Sequence, residues 1–372
     1  MIEKKPVWKK GLPYPESDKI PEAPGMSRFI AHDGQKDMFP FLHDCAITEF
    51  NGIIYVAWYN STNTELGGSS LIRGCYSADK GLTWSAPFHV VGEADFQENH
   101  YVPPNLFVHN KKLYAIVTHS DRNSAAPSAR SIELYVMINP DNWEKVSDIA
   151  VGMTMTAAPV LMDNGSYIAG TWMSKRDSTP SFSAVLISQG MDIEKPWRCI
   201  FVYDPLLPGA LNLRCAEIGI IVDGSLIIAY VRDDIGYPGD ASGGGHAYAF
   251  VSYDYGQTWS KPILDDTRIG NSKIYAGKLS NGRHYKIYND DRGFFNRSLL
   301  LIAVTEPGEV EYSSVYKVFE DGAREFGGRG DRWFYPCSYE FDGQLYIACT
   351  MQEMTRHVRS AVVAKIPVGS LL

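Results

Sequence analysis

The apolar residues of this chain fall into short runs that come in pairs, and each pair is joined by a tight polar turn. In the clearest pair, residues 217–222 and 226–231 flank Asp223-Gly224-Ser225, whose tolerance of positive φ suits a β-hairpin. Similar pairs recur six times, about every 55 to 60 residues, with turns at Asn51-Gly52, Asn110-Lys111, Asn164-Gly165, Asp223-Gly224, Asn281-Gly282 and Asp342-Gly343. The pattern predicts six β-hairpins and no long amphipathic helix.

Each predicted hairpin is followed by a third apolar run, at residues 71–77, 132–138, 182–188, 247–252, 299–305 and 358–366. Fourth strands are expected after these runs in most repeats. Repeats of this length and strand number are typical of the blades of a β-propeller. We therefore predict an all-β, six-bladed β-propeller with four-stranded antiparallel blades, formed by residues 1–372 as a single domain.

The sixth repeat ends after its third strand, so its blade needs an outer strand from elsewhere in the chain. Residues 6–10, Pro-Val-Trp-Lys-Lys, have the composition of a short strand. We predict that they close the ring as the outer strand of blade six, which would remove an exposed sheet edge. Residues 13–37 are then expected to be a connector across the propeller face.

Two of the turns that follow third strands share one motif, SADKGLTW at residues 77–84 and SYDYGQTW at residues 252–259. In such a turn the Asp can accept backbone N–H bonds, the Gly can take a positive φ, and the Trp can pack beside the turn. The spacing Ser-x-Asp-x-Gly-x-Thr-Trp resembles the Asp-box of the sialidase-like (BNR repeat) β-propeller superfamily. Because this box is a structural turn that is also found in non-enzymes, the resemblance implies the fold before it implies an activity.

The composition and net charge of the chain limit the classes of molecule that it is expected to bind and the compartments in which it is expected to occur. The formal net charge of −8 argues against sequence-independent binding of nucleic acid, which needs a basic face. No apolar run is long enough to span a membrane, and the first six residues lack the apolar segment of a signal peptide. We expect a cytoplasmic protein, or a secreted or periplasmic one whose signal peptide has been removed. The six cysteines contain no CxxC pair and are predicted to be reduced core residues.

In a propeller, the starts of the first strands and the loops after the second strands surround one axial pocket. Blade four places Arg214, Glu217 and Arg232 at such positions. The spacing of Glu217, the Asp-Gly turn and Arg232 resembles the sialidase pattern in which a Glu polarises a tyrosine nucleophile and an Arg holds the substrate carboxylate. A phenol has a pKa near 10 and needs such a base, while an Arg fork suits a carboxylate. The alternative interpretation is a structural Glu–Arg ion pair.

Blades five and six add further candidates. Tyr335 stands about where the resemblance places the nucleophilic tyrosine, with a gap of one residue, and Arg332 and Trp333 precede it. Arg297, just before a third strand, resembles a second carboxylate-binding arginine. The alternatives are a packing role for Tyr335 and a solvated loop position for Arg297.

Blade one departs from the sialidase pattern. The resemblance implies an arginine at the start of its first strand, but the corresponding stretch is FPFLHD at residues 39–44. Here His43 and Asp44 are candidate acid/base groups, and His100 of blade two is a candidate for substrate binding. The spacing of the histidines is unlike that of a metal site, so neither a metal nor another cofactor is predicted. Each histidine could instead have a purely structural role.

The leading hypothesis is an exo-acting glycoside hydrolase that cleaves a terminal acidic sugar from a glycan. The absent arginine makes this an atypical member of the superfamily. A polysaccharide lyase acting on a uronate glycan is the alternative from another reaction class, because His, Tyr and Arg also serve that chemistry. A third possibility is a glycan-binding propeller without activity, in which aromatic residues stack on sugar rings. The candidates for that stacking are Trp58, Tyr101, Trp172 and Trp333.

Overall fold

The computed structural model consists of six antiparallel β-sheets arranged as the blades of a propeller. It describes residues 4–61, 64, 70–92, 99–121, 130–175, 178–203, 211, 213, 215–234, 245–265, 267–292, 296–321, 330–354 and 358–372. The predicted all-β, six-bladed fold with four-stranded blades is confirmed. None of the helices in these ranges has the length and apolar character needed to cross a membrane.

The strands follow one another from blade to blade in chain order. Blade one contains β2 (Phe41–Phe50), β3 (Ile53–Ser61), β4 (Ser70–Ser77) and β5 (Phe88–Val91), and blade two contains β6 (Asn99–His109), β7 (Lys112–Asp121), β8 (Arg130–Asn139) and β9 (Asn142–Val151). Blade three contains β10 (Thr154–Met155), β11 (Val160–Leu161), β12 (Tyr167–Lys175), β13 (Ser178–Ile187) and β14 (Arg198–Tyr203), and blade four contains β15 (Ile218–Asp223), β16 (Leu226–Asp233), β17 (His246–Ser252) and β18 (Ile263–Asp265). Blade five contains β19 (Tyr275–Lys278), β20 (His284–Asn289), β21 (Leu299–Thr305) and β22 (Tyr312–Glu320), and blade six contains β23 (Arg332–Phe341), β24 (Gln344–Glu353), β25 (Val358–Pro367) and β1 (Ser27–His32).

Burial explains why the middle strands are almost continuously apolar. Every residue of β21 is buried, because both faces of the blade are covered by its neighbours. The outer strand β22 contains partly exposed positions among its buried ones, in contrast to the fully buried β21. Apolar clusters lie between successive blades, and each fully buried Leu, Ile or Val contributes about 1.5–3 kcal/mol.

The strand that closes the ring differs from the one predicted. β1 pairs antiparallel with β25, with Ser27 opposite Lys365, so it is the outer strand of blade six. Residues 6–10 lie instead at blade five, where Trp8 forms an isolated parallel bridge with Tyr312. The apolar pattern of residues 6–10 reflects the burial of Trp8 in the core between blades four and five rather than a strand in a ladder. The prediction that residues 13–37 are a connector was therefore wrong for residues 27–32.

The two Asp-boxes form the predicted turns. In the first box, Asp79 Oδ1 accepts the Thr83 backbone N–H at 2.8 Å, and Ser77 Oγ accepts the Gly81 N–H at 2.8 Å. Gly81 has a φ of 96°, which is closed to most other residues. Hydrogen bonds from the Thr83 side chain and backbone lower the pKa of Asp79 to about 2. The second box, at Ser252–Trp259, repeats this arrangement.

Candidate active site

A cavity of about 790 Å³ lies where the blades meet, and all six blades contribute to its wall. Its polar lining includes most of the residues proposed from the sequence. The lining residues are His43, Asp44, Tyr59, Val102, Pro103, Thr118, Ser120, Arg130, Thr154, Met155, Thr156, Trp172, Cys215, Glu217, Arg232, Asp234, Arg297, Arg332, Phe334, Tyr335, Gln352, Met354 and Arg359.

Three lining residues have backbone conformations that are rare for residues other than glycine. Asp44, Cys215 and Tyr335 have φ values of 55°, 51° and 50°. Asp44 lies in a break of register between β2 and β3, and Tyr335 lies in the corresponding break between β23 and β24. Such conformations cost about 1–3 kcal/mol each and tend to occur at functional sites. The bulges aim Asp44 and Tyr335 into the cavity instead of leaving them in regular strand alternation.

Arg232 is the centre of the polar network. Its Nη1 donates to the Glu217 carboxylate and, over 3.0 Å, to Tyr335 Oη. Its Nε and Nη2 donate to the two carboxylate oxygens of Asp234, each over 2.8 Å. Burial alone would lower the pKa of Arg232, but Tyr335, Glu217 and Asp234 raise it well above its ordinary value. The structural Glu–Arg ion pair considered from the sequence is therefore present, and Tyr335 is joined to it.

The ring of Tyr335 is surrounded by basic side chains. The His43 ring stacks on it with centroids 4.5 Å apart, and Arg297 Cζ and Lys273 Nζ lie 5.4 Å and 5.5 Å from its centroid. Burial lowers the pKa of His43 well below its ordinary value, and Arg359, Arg297, Lys273 and Arg232 lower it further. The lowered pKa favours the neutral form of the imidazole, and the acid/base role of His43 stays a prediction.

Asp44 is held by a lysine that the sequence analysis did not identify. Lys273 Nζ lies 2.6 Å from Asp44 Oδ1, and both side chains are buried. Burial alone would lower the pKa of Lys273, but Asp44 and Glu217 raise it above its ordinary value. The pair places a buried cation directly beside Asp44 at the cavity wall, and the acid/base role of Asp44 stays a prediction.

Three arginines line the cavity at the ends of blades five and six. Arg297 donates from Nε and Nη2 to the backbone oxygen of Asn271, over 3.0 Å and 2.8 Å. Arg332 donates to the backbone oxygens of Gly330 and Asp331, over 2.5 Å and 3.1 Å. Arg359 was not predicted. It is the second residue of β25, the third strand of blade six, and Arg297 lies just before β21, the third strand of blade five. This similar placement is the signal that could have identified Arg359.

Two of the remaining predicted residues, His100 and Trp333, do not line the cavity. His100 is buried in β6 and is not part of the lining. Trp333 is fully buried between blades five and six, where its ring stacks on Phe319 at 5.8 Å, so its position does not support substrate binding. Arg214 lies outside the residues that the structure describes.

Of the aromatic residues considered for sugar stacking, Trp172 lines the cavity. Trp58 is fully buried and donates to Asn60 Oδ1 over 2.7 Å, and Tyr101 lines a separate cavity of about 480 Å³ between blades one and two. Among the described residues, no cluster of three or more His, Cys, Asp or Glu side chains could hold a metal ion. That no metal or cofactor takes part remains a prediction.

Comparison with solved structures shows the fold. Trypanosoma rangeli sialidase in complex with the inhibitor DANA is 16% identical, with a TM-score of 0.71 over 94% of this chain and 60% of that chain. The same enzyme with 2,3-difluorosialic acid, described as a covalent intermediate, is 14% identical, with a TM-score of 0.70 over 95% of this chain and 60% of that one. The K499G mutant of NanB sialidase from Streptococcus pneumoniae is 12% identical, with a TM-score of 0.67 over 93% of this chain and 71% of that chain.

This chain thus spans about 60% of the length of the trypanosomal structures. No curated protein matches its sequence. The model of the BNR repeat-like domain family matches residues 54–347, which include strands of all six blades. The chain therefore belongs to the BNR repeat-like domain family and is a sialidase-like BNR β-propeller.

Proposed function

We propose that this protein is an exo-acting glycoside hydrolase that removes a terminal acidic sugar from a glycan. The observation that carries the proposal is the shared contact of Glu217 and Tyr335 with Nη1 of Arg232 at the wall of the axial cavity. A phenol, a carboxylate and a guanidinium held together in this way provide a nucleophile, a base and a positive charge at one point.

In the proposed reaction, Tyr335 Oη attacks the anomeric carbon while Glu217 accepts the phenol proton. The bond between that carbon and the glycosidic oxygen breaks, and the aglycone leaves with this oxygen and takes up a proton from water. The positive charges of Arg232, Arg297 and Lys273 stabilise negative charge on the phenol oxygen as the proton leaves. Attack by a protein group forms a glycosyl-enzyme intermediate, which water then cleaves. Two displacements at the same carbon retain its configuration.

The similar structures support an acidic sugar as the substrate class. The trypanosomal sialidase has been solved with sialic acid and, as a covalent intermediate, with 2,3-difluorosialic acid. The basic groups around Tyr335 in this chain are suited to a substrate of the same charge. The identity of the sugar is left to the assay, because sequence identities of 11–16% carry no substrate assignment.

The test is a screen of aryl glycosides of N-acetylneuraminate, glucuronate and galacturonate, read by release of the aryl group. Aryl leaving groups need little protonation, so the assay reports on Tyr335 and Glu217. We expect Glu217→Gln to lower kcat/KM by about 10²–10⁴-fold, and Tyr335→Phe by more. Tyr59→Phe is the matched control, because Tyr59 also lines the cavity but lies beside His43.

The outcomes separate the alternatives. Aryl release that survives Tyr335→Phe would reject the nucleophile, and no release from any substrate would argue against the hydrolase. A lyase would instead act on a rhamnosyl-uronate glycan with a rise in the ultraviolet absorbance of a conjugated product. Binding of glycans without either signal would favour the non-catalytic propeller.

A further inference from the structure

A second cavity, of about 480 Å³, lies between blades one and two, and its described lining residues are all different from those of the axial cavity. We call it the side cavity; its wall is formed by β4, β5, β6, β8, β9 and the turn between β8 and β9. Its volume falls in the range of about 300–1,000 Å³ that is usual for ligand sites. Among its described lining residues there is no lysine or arginine, whereas five arginines line the axial cavity. The side cavity is therefore unsuited to the carboxylate of an acidic sugar.

The indole ring of Trp143 is held in place before any ligand arrives. Its Nε1 donates to the backbone oxygen of Pro140 over 3.1 Å, and its ring stacks on Phe88 of blade one with centroids 6.1 Å apart. The half-buried ring also lines the side cavity. Because the ring is already fixed, it can pack against the C–H face of a sugar at a low cost in conformational entropy.

The turn between β8 and β9 leaves a carboxylate without a partner in the fold. In the Asp-box of blade one, Asp79 is occupied by its own turn, because its two carboxylate oxygens accept the backbone N–H and the hydroxyl of Thr83. The turn of blade two has the sequence NPDNW instead, and here Asn139 Oδ1 accepts the backbone N–H of Asp141 over 3.1 Å. Asp141 is exposed and lines the side cavity, and its carboxylate has no hydrogen bond or ion pair with any residue that the structure describes.

Amide and imidazole groups extend the polar part of the wall. Asn142 is exposed, and its side-chain amide has no partner among the described residues. His89 Nε2 lies 2.5 Å from the Gly92 backbone oxygen, and Asn99 Oδ1 lies 2.9 Å from His119 Nε2, so each of these two lining side chains keeps its other polar atom for a ligand. A sugar hydroxyl both donates and accepts, which matches a wall that combines a carboxylate with amides.

We propose that the side cavity binds a short neutral oligosaccharide, with one sugar ring packed on Trp143 and hydroxyl groups bonded to Asp141 and Asn142. The proposal rests on the proposed function only in taking the ligand to be a glycan. The unpaired carboxylate of Asp141 repels an acidic sugar, so the two cavities select different sugars. A second site of this kind raises the effective concentration of a glycan at the protein.

The experiment follows the indole N–H signals of the isotope-labelled full chain by NMR while cellobiose, lactose or maltose is added. The chain has eight tryptophans, and Trp143→Phe and Trp172→Phe identify the signals that report on the side cavity and the axial cavity. None of these disaccharides carries an acidic group, so binding is measured independently of the proposed hydrolysis. We expect at least one of them to shift the Trp143 signal in a saturable way and to leave the Trp172 signal unchanged.

Two variants test the polar contacts. Asp141→Asn removes the charge with little change in shape and should weaken this binding by about 10- to 100-fold, whereas Asn142→Ala removes a neutral partner and should weaken it by about 2- to 10-fold. Asp18→Asn is the matched control, because Asp18 is also exposed but does not line the side cavity. Since the Asp141 carboxylate has no partner among the described residues, its variant should melt at the temperature of the wild type.

The side-cavity proposal is refuted if none of the three disaccharides shifts the Trp143 signal, or if only the Trp172 signal shifts. It is also refuted if Asp141→Asn binds as tightly as the wild type and Asp18→Asn do. D-Glucuronate is the charged reference, and its binding at Trp143 with the affinity of a neutral sugar would refute the neutral ligand class. Hydrolysis of aryl glycosides tests the axial cavity alone, so an active hydrolase can fail this test and an inactive protein can pass it.

Discussion

The buried ion pair of Lys273 and Asp44 lies beside Tyr335, and its contribution to the stability of the protein can be tested. Lys273 Nζ lies 2.6 Å from Asp44 Oδ1, and the two side chains are 4% and 8% exposed. Lys273→Met keeps most of the length of the side chain but removes its charge. The Asp44 carboxylate then stays buried without the cation that compensates it, which is the costly way to disrupt a buried ion pair.

The expected cost is about 3–5 kcal/mol in the free energy of unfolding. Unfolding entropy is about 2.1 cal/mol/K per residue, so for 372 residues a loss of this size lowers the melting temperature by about 4–6 °C. Because the pKa of Lys273 is raised, its stabilising contribution is complete at neutral pH and is lost only as the pH rises through that raised value.

The measurement is thermal unfolding at neutral pH of Lys273→Met, Asp44→Asn and the double variant. The double variant removes both charges and should recover part of the loss, which gives the coupling between the two residues. Lys80→Met is the control, because Lys80 and Asp342 form a pair at 2.5 Å with both side chains 56% exposed, and such pairs contribute little. The buried pair does not contribute this stabilisation if Lys273→Met has the same melting temperature as the control variant. The same conclusion follows if the double variant melts no higher than Lys273→Met.

Two further predictions concern the scaffold. Deleting residues 1–12 removes the bridge between Trp8 and Tyr312 at blade five, whereas deleting residues 1–32 also removes β1 from its pairing with β25. The shorter deletion should therefore lower the melting temperature less than the longer one. Equal losses would argue against ring closure by β1. Burial alone would raise the pKa of Asp254, but hydrogen bonds from Thr258 and Ser252 lower it to about 2. The stabilising contribution of the Asp254 carboxylate is therefore present at neutral pH and is lost as the pH falls toward 2. The difference in melting temperature between Asp254→Ala and the wild type should therefore shrink on acidification, and a constant difference would contradict this account.

Much of the fold could be predicted from the sequence because its signals are local. A hairpin turn such as Asp342-Gly343 and a run such as Leu299–Thr305 report the conformation of a few adjacent residues, and their repetition indicates the number of blades. Ring closure could not be predicted in the same way. β1 and β25 are far apart in the sequence, and residues 6–10 and 27–32 are both short and partly apolar, so only packing decides which of them pairs.

The sequence by itself determined the propeller, the Asp-box turns and the presence of Glu217, Arg232 and Tyr335 near the axis, since each follows from position within a repeat. The tertiary structure decided which side chains meet there. Arg232 contacts Tyr335 across 103 residues of sequence, and Lys273 contacts Asp44 across 229. Contacts between blades depend on how far each strand projects toward the axis and on bulges such as the one at Tyr335, and no local pattern encodes these.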